Sequence, residues 1–425
     1  MKIITLEEHQ FNKYAENHKY RSYYQSSAYG KIMKKFGYDI HYLGVIDDNE
    51  NIIGASLLLY KEVFMNYKIA YAPRGLLFDY SNGALLKEFT ERLKKLLSKQ
   101  GFMLLKIDPV IPVSLHNATG KILNINPESN IIVENLKASR WEYHGPTLFF
   151  ETEKPRFEAV ISLDKDINTI YNSFEKRVRY KIKKAIRSGV EIIKGGEQNI
   201  PLFYEFVKKK YARPIEYYQE FYKQFEGNVD LYFAKLNTET FVINSKKLYE
   251  KEMEINDNLA YKIQQAKNAN TRKKLINEKI ESDKLINTYK KNLVWATNLL
   301  KENPNGILIS SSFILRYDHA AFLIIEGLNS KFKSLNPSYL MKWELISKYK
   351  NMNLKYINFN AVSGDFEHIA VSGDFEHITE YSGLNEMKLG FNPVISEYVG
   401  EFDFIINQLP YNLYRNLNKD KKKAN

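Results

Sequence analysis

The chain predicts an α/β protein of two similar modules in tandem, the second carrying an inserted antiparallel coiled-coil arm. Three observations carry that reading. Strand-like and helical patterns alternate over the first 150 residues, and the alternation starts again near Phe157. A stretch from 240 to 303 then interrupts the second round with helical stripes and contains no glycine or proline. At 425 residues the chain also exceeds what one hydrophobic core organises.

In chain order, His41 to Ile46 and Ile52 to Tyr60 are strand-like runs flanking Asp47-Asp-Asn-Glu-Asn51, a turn composition that predicts a hairpin. Leu85 to Gln100 repeats apolar residues at helical spacing. Phe102 to Asp108 is a short apolar strand stopped by Pro109. The second round opens with a strand at Phe157 to Leu163, helical stretches at 165–188 and 198–225, and a strand at Leu231 to Leu236. It resumes with strands at Ile307 to Leu315 and Ala321 to Glu326. Between them, Leu248, Ile255 and Leu259 fall at a/d-type spacing. Ile286, Tyr289, Leu293, Ala296 and Leu300 continue the stripe on a returning helix, with Asn268-Ala-Asn-Thr271 as the tip. A stripe that narrow serves one partner helix. Lying between two strand signals, the arm is an insertion into the second module.

Composition bounds the chemistry. Hydrophobic residues make up 44% and aromatic residues 14%, enough to fill two cores. The absence of Cys excludes thiol catalysis, disulfides and thiolate metal sites. The eight His residues show no HxxxH or HExxH spacing, so no metal site is expected. No N-terminal apolar segment and no run of about 18 apolar residues occurs, which predicts a soluble cytoplasmic protein. A net charge of +12 favours a polyanionic partner: nucleic acid, a nucleotide-sugar or an anionic membrane face.

Two segments concentrate basic chemistry. Lys176, Arg177, Arg179, Lys181, Lys183, Lys184 and Arg187 crowd about three helical turns, leaving Val178, Ile182, Ala185 and Ile186 for a core. That run reads either as a solvated helix face or as a surface holding an anion. Arg213-Pro-Ile-Glu-Tyr217 places an Arg and a Tyr four residues apart, with both tips on one side of a helix or tight turn. A different oddity is Ala361 to Ile369, repeated unchanged as Ala370 to Ile378. Two copies are too few for a solenoid and read as a duplication tolerated in a surface loop.

Several segments then line up in order: Gln25-Ser26, Tyr29 and Lys31; Tyr71-Ala-Pro-Arg-Gly75; Lys106-Ile-Asp108-Pro109; Arg177-Val-Arg179-Tyr180; and Arg213-Pro-Ile-Glu-Tyr217. Ser363-Gly-Asp-Phe366, Lys388-Leu-Gly-Phe391 and Glu397-Tyr-Val-Gly-Glu401-Phe402 follow. In this order they resemble the Fem aminoacyltransferases, which build peptidoglycan interpeptide bridges. The arm matches the FemA and FemB branch, since FemX-type members lack it. The resemblance implies two acetyltransferase-like (GNAT) domains: 1–152, completed by the C-terminal segment 396–425, and 153–395, with the arm at 240–303. It implies transfer of an amino acid from aminoacyl-tRNA to a stem-peptide amine of a muramyl-pentapeptide precursor, either lipid II or UDP-MurNAc-pentapeptide. No cofactor is expected. Peripheral association with the inner membrane surface, and a homodimer or a pairing with a Fem homologue, complete the expected partners.

An aminoacyl ester is already activated, so the reaction needs neither metal nor nucleotide hydrolysis, which suits a chain without a GxxxxGK loop. The accepting amine, of pKa near ~10.4, must shed a proton. Asp108 and Glu401 match the family carboxylates of interest at the reacting centre; for Asp108 the competing reading is a strand-ending Asp that bonds backbone amides. Lys388 matches the lysine thought to stabilise charge near the ester, with an exposed strand lysine as the alternative. Lys31, Arg213 and Tyr217 match positions gripping the precursor's phosphates and sugar, a task for which an Arg fork is suited. Lys176, Arg177, Arg179, Lys183 and Lys184 are the expected tRNA or phosphate contacts. The chain departs from the pattern in having no Tyr near Ile324-Ile325-Glu326 and in the second copy upstream of Lys388. A CoA-dependent N-acetyltransferase would need an Arg/Gln-x-x-Gly-x-Gly/Ala loop, and none is present. A non-catalytic RNA-binding protein would account for the charge and the arm, but not for Asp108, Arg213, Tyr217 and Lys388 together.

Overall fold

Apolar strand runs assemble into two sheets in the computed structural model, which describes residues 1–209, 213–366 and 382–423. The first sheet holds β1 (Lys2–Thr5), β2 (Asp39–Ile46), β3 (Ile52–Phe64), β4 (Tyr67–Ala72) and β5 (Phe102–Ile107), with β8 (Glu142–Tyr143) and β16 (Phe402–Ile405). Its strand order is β1-β2-β3-β4-β5-β16-β8. The second sheet takes β6 (Pro112–His116), β7 (Ile122–Ile125), β9 (Phe157–Ser162), β10 (Val190–Gly195) and β11 (Val229–Leu236). It is completed by β12 (Ile307–Tyr317), β13 (Ala320–Leu328), β14 (Tyr356–Val362) and β15 (Val394–Tyr398). The order there is β10-β11-β12-β13-β14-β9-β15-β6-β7.

The same local plan recurs in both sheets. Strands β2, β3 and β4 are antiparallel neighbours, and a helix, α3 (Gly83–Lys99), then crosses over to β5, which lies parallel to β4. Strands β11, β12 and β13 repeat the antiparallel run, and α11 (Pro337–Asn351) crosses to β14, parallel to β13. Parallel neighbours need such a crossover, so both helices are dictated by topology as well as by periodicity. The chain also changes sheets. Strands β6 and β7 precede residue 152 yet join the second sheet through β15, and β16 inserts between β5 and β8 in the first. A cut at 152 therefore does not sort the strands by sheet.

One buried cluster spans both sheets. Leu57 and Leu59 of β3 and Phe11 of α1 (Glu8–Asn17) share it with Phe203 of α7 (Ile200–Val207), Phe221 of α8 (Ile215–Gln224) and Phe313 of β12. In the same layer α2 (Ser27–Lys35) meets α8, with the Phe36 and Tyr217 rings 5.5 Å apart. The helical stretch expected at 165–188 is broken. Phe174 takes extended backbone (φ −65°, ψ 150°), which separates α5 (Ile167–Ser173) from α6 (Lys176–Arg187) and buries the Phe174 ring. The remaining helices are α4 (Ser129–Ala138), α12 (Ser382–Leu389) and α13 (Gln408–Lys423). Among the described residues no helix is long and apolar enough to cross a membrane.

The inserted stretch forms α9 (Thr238–Gln265) and α10 (Ala269–Glu302), joined by a short turn in which Asn268 caps α10. They pack antiparallel: Phe241 meets Trp295, and Asn256 reaches Ser282. On α10 the expected stripe faces inward: Ala296 is buried and Ile286, Tyr289, Leu293 and Leu300 are half-buried, with Ser282 and Leu299 buried beside them. On α9 Leu248 and Ile255 are exposed, Leu259 is half-buried, and Phe241, Ser245 and Asn256 are buried instead. Halfway along, Asn256 donates to Ser282 Oγ (3.2 Å) and Asp283 Oδ1 (2.8 Å), while Ser282 donates to Glu252 (2.7 Å). A satisfied polar knot in the seam penalises other registers, as a buried Asn does in helical zippers.

Candidate active site

Asp108 closes β5 and is 2% exposed. It accepts hydrogen bonds from the Tyr71 hydroxyl (2.8 Å) and the Arg74 backbone amide (2.6 Å). Arg74 presents that amide from the left-handed region, φ 56°, sparsely populated for a branched-chain-free but bulky residue. Gln25, fully buried, holds the loop in place: it donates to the Pro73 carbonyl (2.9 Å) and accepts from the Leu57 amide (2.8 Å). Burial pushes the Asp108 carboxyl up to about 6, although Arg74, Lys154 and the Tyr71 hydrogen bond all pull downward. Asp108 does bond a backbone amide, as a strand-ending Asp would. Its burial and raised proton affinity add what a base working near neutral pH needs.

The Arg74 side chain carries the network into the second sheet. Its guanidinium, 4% exposed, donates to Glu158 Oε1 of β9 (2.6 Å) and to the Pro155 carbonyl (2.8 Å), and lies 5.0 Å from the Tyr398 ring centre. Glu158 is also held by Asn358 of β14 (2.7 Å). In sheet register Glu158 stands opposite Ala361, and the Ala361 carbonyl accepts from Lys388 Nζ at 2.6 Å. Asp108 and Lys388, remote in sequence, are thus the two ends of one chain of contacts through Arg74, Glu158 and Ala361.

Lys388 is buried (6% exposed), contrary to its reading as an exposed strand lysine, and sits on α12. It lines a cavity of about 1320 Å³ together with Lys342, Glu326, Tyr339, Phe359 and Lys209. Lys342 and Glu326 pair on its wall at 2.5 Å. The Ile324-Ile325-Glu326 segment therefore reaches the cavity without a tyrosine. The described part of the first copy, Ala361 to Phe366, begins in β14 and packs inward; Glu367 to Ile369 lie outside the described residues. Asn385 holds Ser363 through its amide (3.1 Å) and hydroxyl (2.5 Å), and Phe366 lies against His116 and Phe157. The second copy, Ala370 to Ile378, lies outside the described residues.

A second neighbourhood adjoins Asp108. Tyr23, Tyr24 and Tyr29 cluster around the start of α2: Tyr23 stacks on Tyr24 with centres 4.1 Å apart, and Tyr29 meets Tyr24 edge to face at 5.0 Å. Arg213 lies 4.5 Å above the Tyr217 ring and in the field of Tyr29 and Tyr24. Burial pushes the Tyr217 hydroxyl up to about 12, against the pull of Arg213. Lys154, which no sequence signal singled out, lies 4.3 Å above the Tyr24 ring and is felt by Asp108. Lys31 is elsewhere engaged: on exposed α2 surface it pairs with Glu8 at 2.6 Å.

Glu401 is buried among charges, paired with Lys106 and accepting from the Glu153 amide at 3.1 Å. Lys106 also faces Asp403 (3.5 Å), and Asp403 holds His144 (3.0 Å), keeping that imidazole above its ordinary value. Spacing gave no hint of this His144–Glu401–Asp403 cluster, whose geometry could admit a metal ion, although the Lys106 ammonium already supplies positive charge there. On α6 two of the expected anion contacts are spoken for. Arg177 pairs with Glu175 and with Glu386 (2.6 Å), and Arg179 donates to the Asn172 (2.7 Å) and Phe174 (2.5 Å) carbonyls. Lys176 and Lys183 remain exposed, and Lys184 is half-buried.

Comparison with known proteins agrees with this architecture. Aminoacyltransferase FemA of Staphylococcus epidermidis is 24% identical over 430 residues, covering 99% of this chain and 100% of its own. FemA of Staphylococcus aureus (strain bovine RF122 / ET3-1) is 25% identical over 429 residues, 99% of each chain. The crystal structure of FemX superposes with a TM-score of 0.69 at 20% identity, covering 97% of this chain and 99% of that one, a likeness of fold. The FemAB family model matches residues 6–419, and the chain belongs to that family.

Proposed function

We propose that this protein is an aminoacyltransferase of peptidoglycan cross-bridge synthesis, moving an amino acid from aminoacyl-tRNA to a stem-peptide amine of a muramyl-pentapeptide precursor. The observation that carries the reading is the FemAB match over nearly the whole chain, alongside relatives named aminoacyltransferase FemA. The chemistry supports it. Asp108, with its proton affinity near neutrality, takes the proton of the attacking ammonium. The freed amine adds to the ester carbonyl, and the tetrahedral oxyanion collapses to the amide as the C–O bond to the ribose breaks, the remaining extra proton on the nitrogen passing to the departing ribose oxygen. Lys388, a buried cation at the cavity wall, stabilises that oxyanion.

Arg213 and Tyr217 grip the precursor's phosphates and sugar beside the tyrosine stack. Lys176, Lys183 and Lys184 of α6 supply tRNA phosphate contacts, with Arg177 and Arg179 keeping the helix terminus in shape. Glu401 holds its surroundings in place. The protein works at the cytoplasmic side, as two GNAT-like modules with α9 and α10 as a coiled-coil arm. Incubation with a mixed pool of charged tRNAs and a lipid-linked or UDP-linked muramyl pentapeptide, read by product mass, tests the reading. A mass increase of one amino-acid residue is expected; tRNA binding without any acyl transfer would overturn it.

A further inference from the structure

Strands β13 and β14 pair only where Ala320 to Phe322 meet Tyr356 to Asn358, although both strands run on beyond that point. Each carries a bulge where the pairing stops. Ile324 is the extra residue of β13 against β12, and β14 gains one residue on β9 between Asn358 and Ala361. Past the bulges, Leu323 to Glu326 and Phe359 to Ala361 line the cavity of about 1320 Å³. Lys342 of α11 is 1% exposed, and its neighbours Met341, Leu345 and Ile346 belong to the apolar core. Its ammonium meets Glu326 at 2.5 Å on the cavity wall, where the Glu326 side chain keeps 12% of its surface open. Such a pair gives no stability that packed apolar side chains of the same volume would not. A charged pair kept at a cavity wall therefore points to a ligand.

The pair stands near the reacting centre. The Phe359 ring lies 5.8 Å from the Lys342 ammonium, and two residues on the Ala361 carbonyl holds Lys388. Two residues of strand span at most about 7 Å. An aminoacyl ester places its nitrogen about 3 Å from its carbonyl oxygen, and a charge-assisted hydrogen bond adds about 2.8 Å at each end. One aminoacyl group is thus of the length that joins Lys388, at the carbonyl oxygen, to Glu326, at the nitrogen. Glu205, the other carboxylate on the lining, is exposed and already paired with Lys208 at 2.5 Å.

We propose that Glu326 binds the α-ammonium of the aminoacyl donor, with Lys342 as the positioning residue that fixes its carboxylate. The inference rests on the aminoacyl transfer proposed above and adds to it a residue that reads the donor. A free α-amine is accepted, whereas a donor whose nitrogen is already acylated brings no charge and crowds the pair.

The test is equilibrium titration of the full-length protein with hydrolysis-resistant donors: aminoadenosine acylated on its ribose nitrogen with glycine, hydroxyacetate or N-acetylglycine. Glycine presents the ammonium without a side chain, so the test does not depend on which amino acid is transferred. The wild type should prefer the glycyl over the hydroxyacetyl probe about tenfold, and over the N-acetylglycyl probe by more. Glu326→Gln should erase that preference by weakening the glycyl probe alone, leaving the hydroxyacetyl probe within about twofold. A merely structural role would weaken both alike. Glu326→Gln combined with Lys342→Met strands no charge, so it should fold with a melting temperature near the wild type and show the same selective loss. A wild type that does not tell ammonium from hydroxyl overturns the inference, and this reading needs no variant. So does a variant that keeps the wild-type ratio or loses both probes equally. Ammonium-selective binding that depends on Glu326, without any acyl transfer to a muramyl acceptor, would leave this site standing and sink the proposed function.

Discussion

Replacing Asp108 by Asn separates a catalytic base from a carboxylate kept for structure. The variant retains an acceptor oxygen for the Arg74 amide, now at 2.6 Å, removes the charge, and makes the Tyr71 hydroxyl the acceptor of an NH2 where it now donates to Oδ2 at 2.8 Å. Burial lifts the Asp108 carboxyl from the ordinary 3.8 to about 6, an unfavourable environment for the charged form worth about 3 kcal/mol. The folded-state value lies above the unfolded one, so the folded chain binds the proton more tightly. The resulting stability is complete below about pH 3.8 and is lost as pH rises through about 6. Asn is neutral throughout and escapes that loss. Allowing for weaker attraction to Arg74, Asp108→Asn should gain about 1–3 kcal/mol at pH near 8 and little at pH near 4, read from denaturant midpoints. Transfer should move the other way. Wild-type single-turnover rates should climb between about pH 5 and 7 with a midpoint near 6, while the variant falls roughly 10²–10⁴-fold and loses that limb. An Asn variant that is less stable at high pH, or that keeps the wild-type pH profile, refutes the reasoning.

Arg213→Ala should weaken precursor binding by about 1.5–3 kcal/mol, and Arg213→Lys should recover only part; full recovery in equilibrium titrations would remove the forked contact from the account. Lys388→Met should lower single-turnover transfer by about two orders of magnitude with precursor affinity unchanged. A chain lacking Ala370 to Ile378 is the paired control, and silence of Lys388→Met in both backgrounds would remove that lysine from the catalytic account. Glu158→Ala strands the Arg74 guanidinium, 4% exposed, and should cost about 3–5 kcal/mol of unfolding free energy, with Glu158→Gln intermediate; a loss under about 1 kcal/mol would deny the buried pair its role. Deleting residues 250–290 behind a short Gly-rich bridge, which keeps Trp295, Ala296 and Leu299 in the core of the second sheet, should spare the melting transition of the two sheets and weaken tRNA binding. Unchanged tRNA affinity at two salt concentrations would assign the arm to protein partners.

Much of this fold was legible because periodicity and topology agree. The hairpin around Asp47, the helix near 83–99 and the strand before Pro109 all stand where apolar spacing and turn residues place them. The family resemblance, carried by short segments in order, is borne out by the match over 6–419. What failed to show has physical causes. Strands β6, β7 and β8 are short, and β7 is exposed throughout, so they carry little apolar signal. On α9 the stripe through Leu248 and Ile255 missed the seam because that seam is partly polar: Asn256, with Ser282 opposite, is buried for its hydrogen bonds, which hydrophobic spacing ignores. At the site, Asp108, Arg213 and Tyr217 stood in recognisable segments. Glu158 sits in an ordinary strand, and Lys154 is one lysine among many. Their importance arises from partners far along the chain, Arg74 and Tyr24, which only the folded topology brings near.

The late arrival of β16 sets the order in which this protein can mature on the ribosome. Strand β16 is made after every other strand described, yet it fills the gap between β5 and β8 in a sheet whose other strands were translated long before. Until Phe402 to Ile405 emerge, the backbone edge of β5 lies open, and an open edge invites pairing with a foreign strand. The Phe402 and Phe404 side chains, both buried in the finished sheet, have no counterpart before then. A chain truncated before Phe402 therefore leaves that edge of β5 without its partner strand, and is expected to aggregate where the full chain does not, a difference that light scattering of the two proteins at equal concentration reads directly.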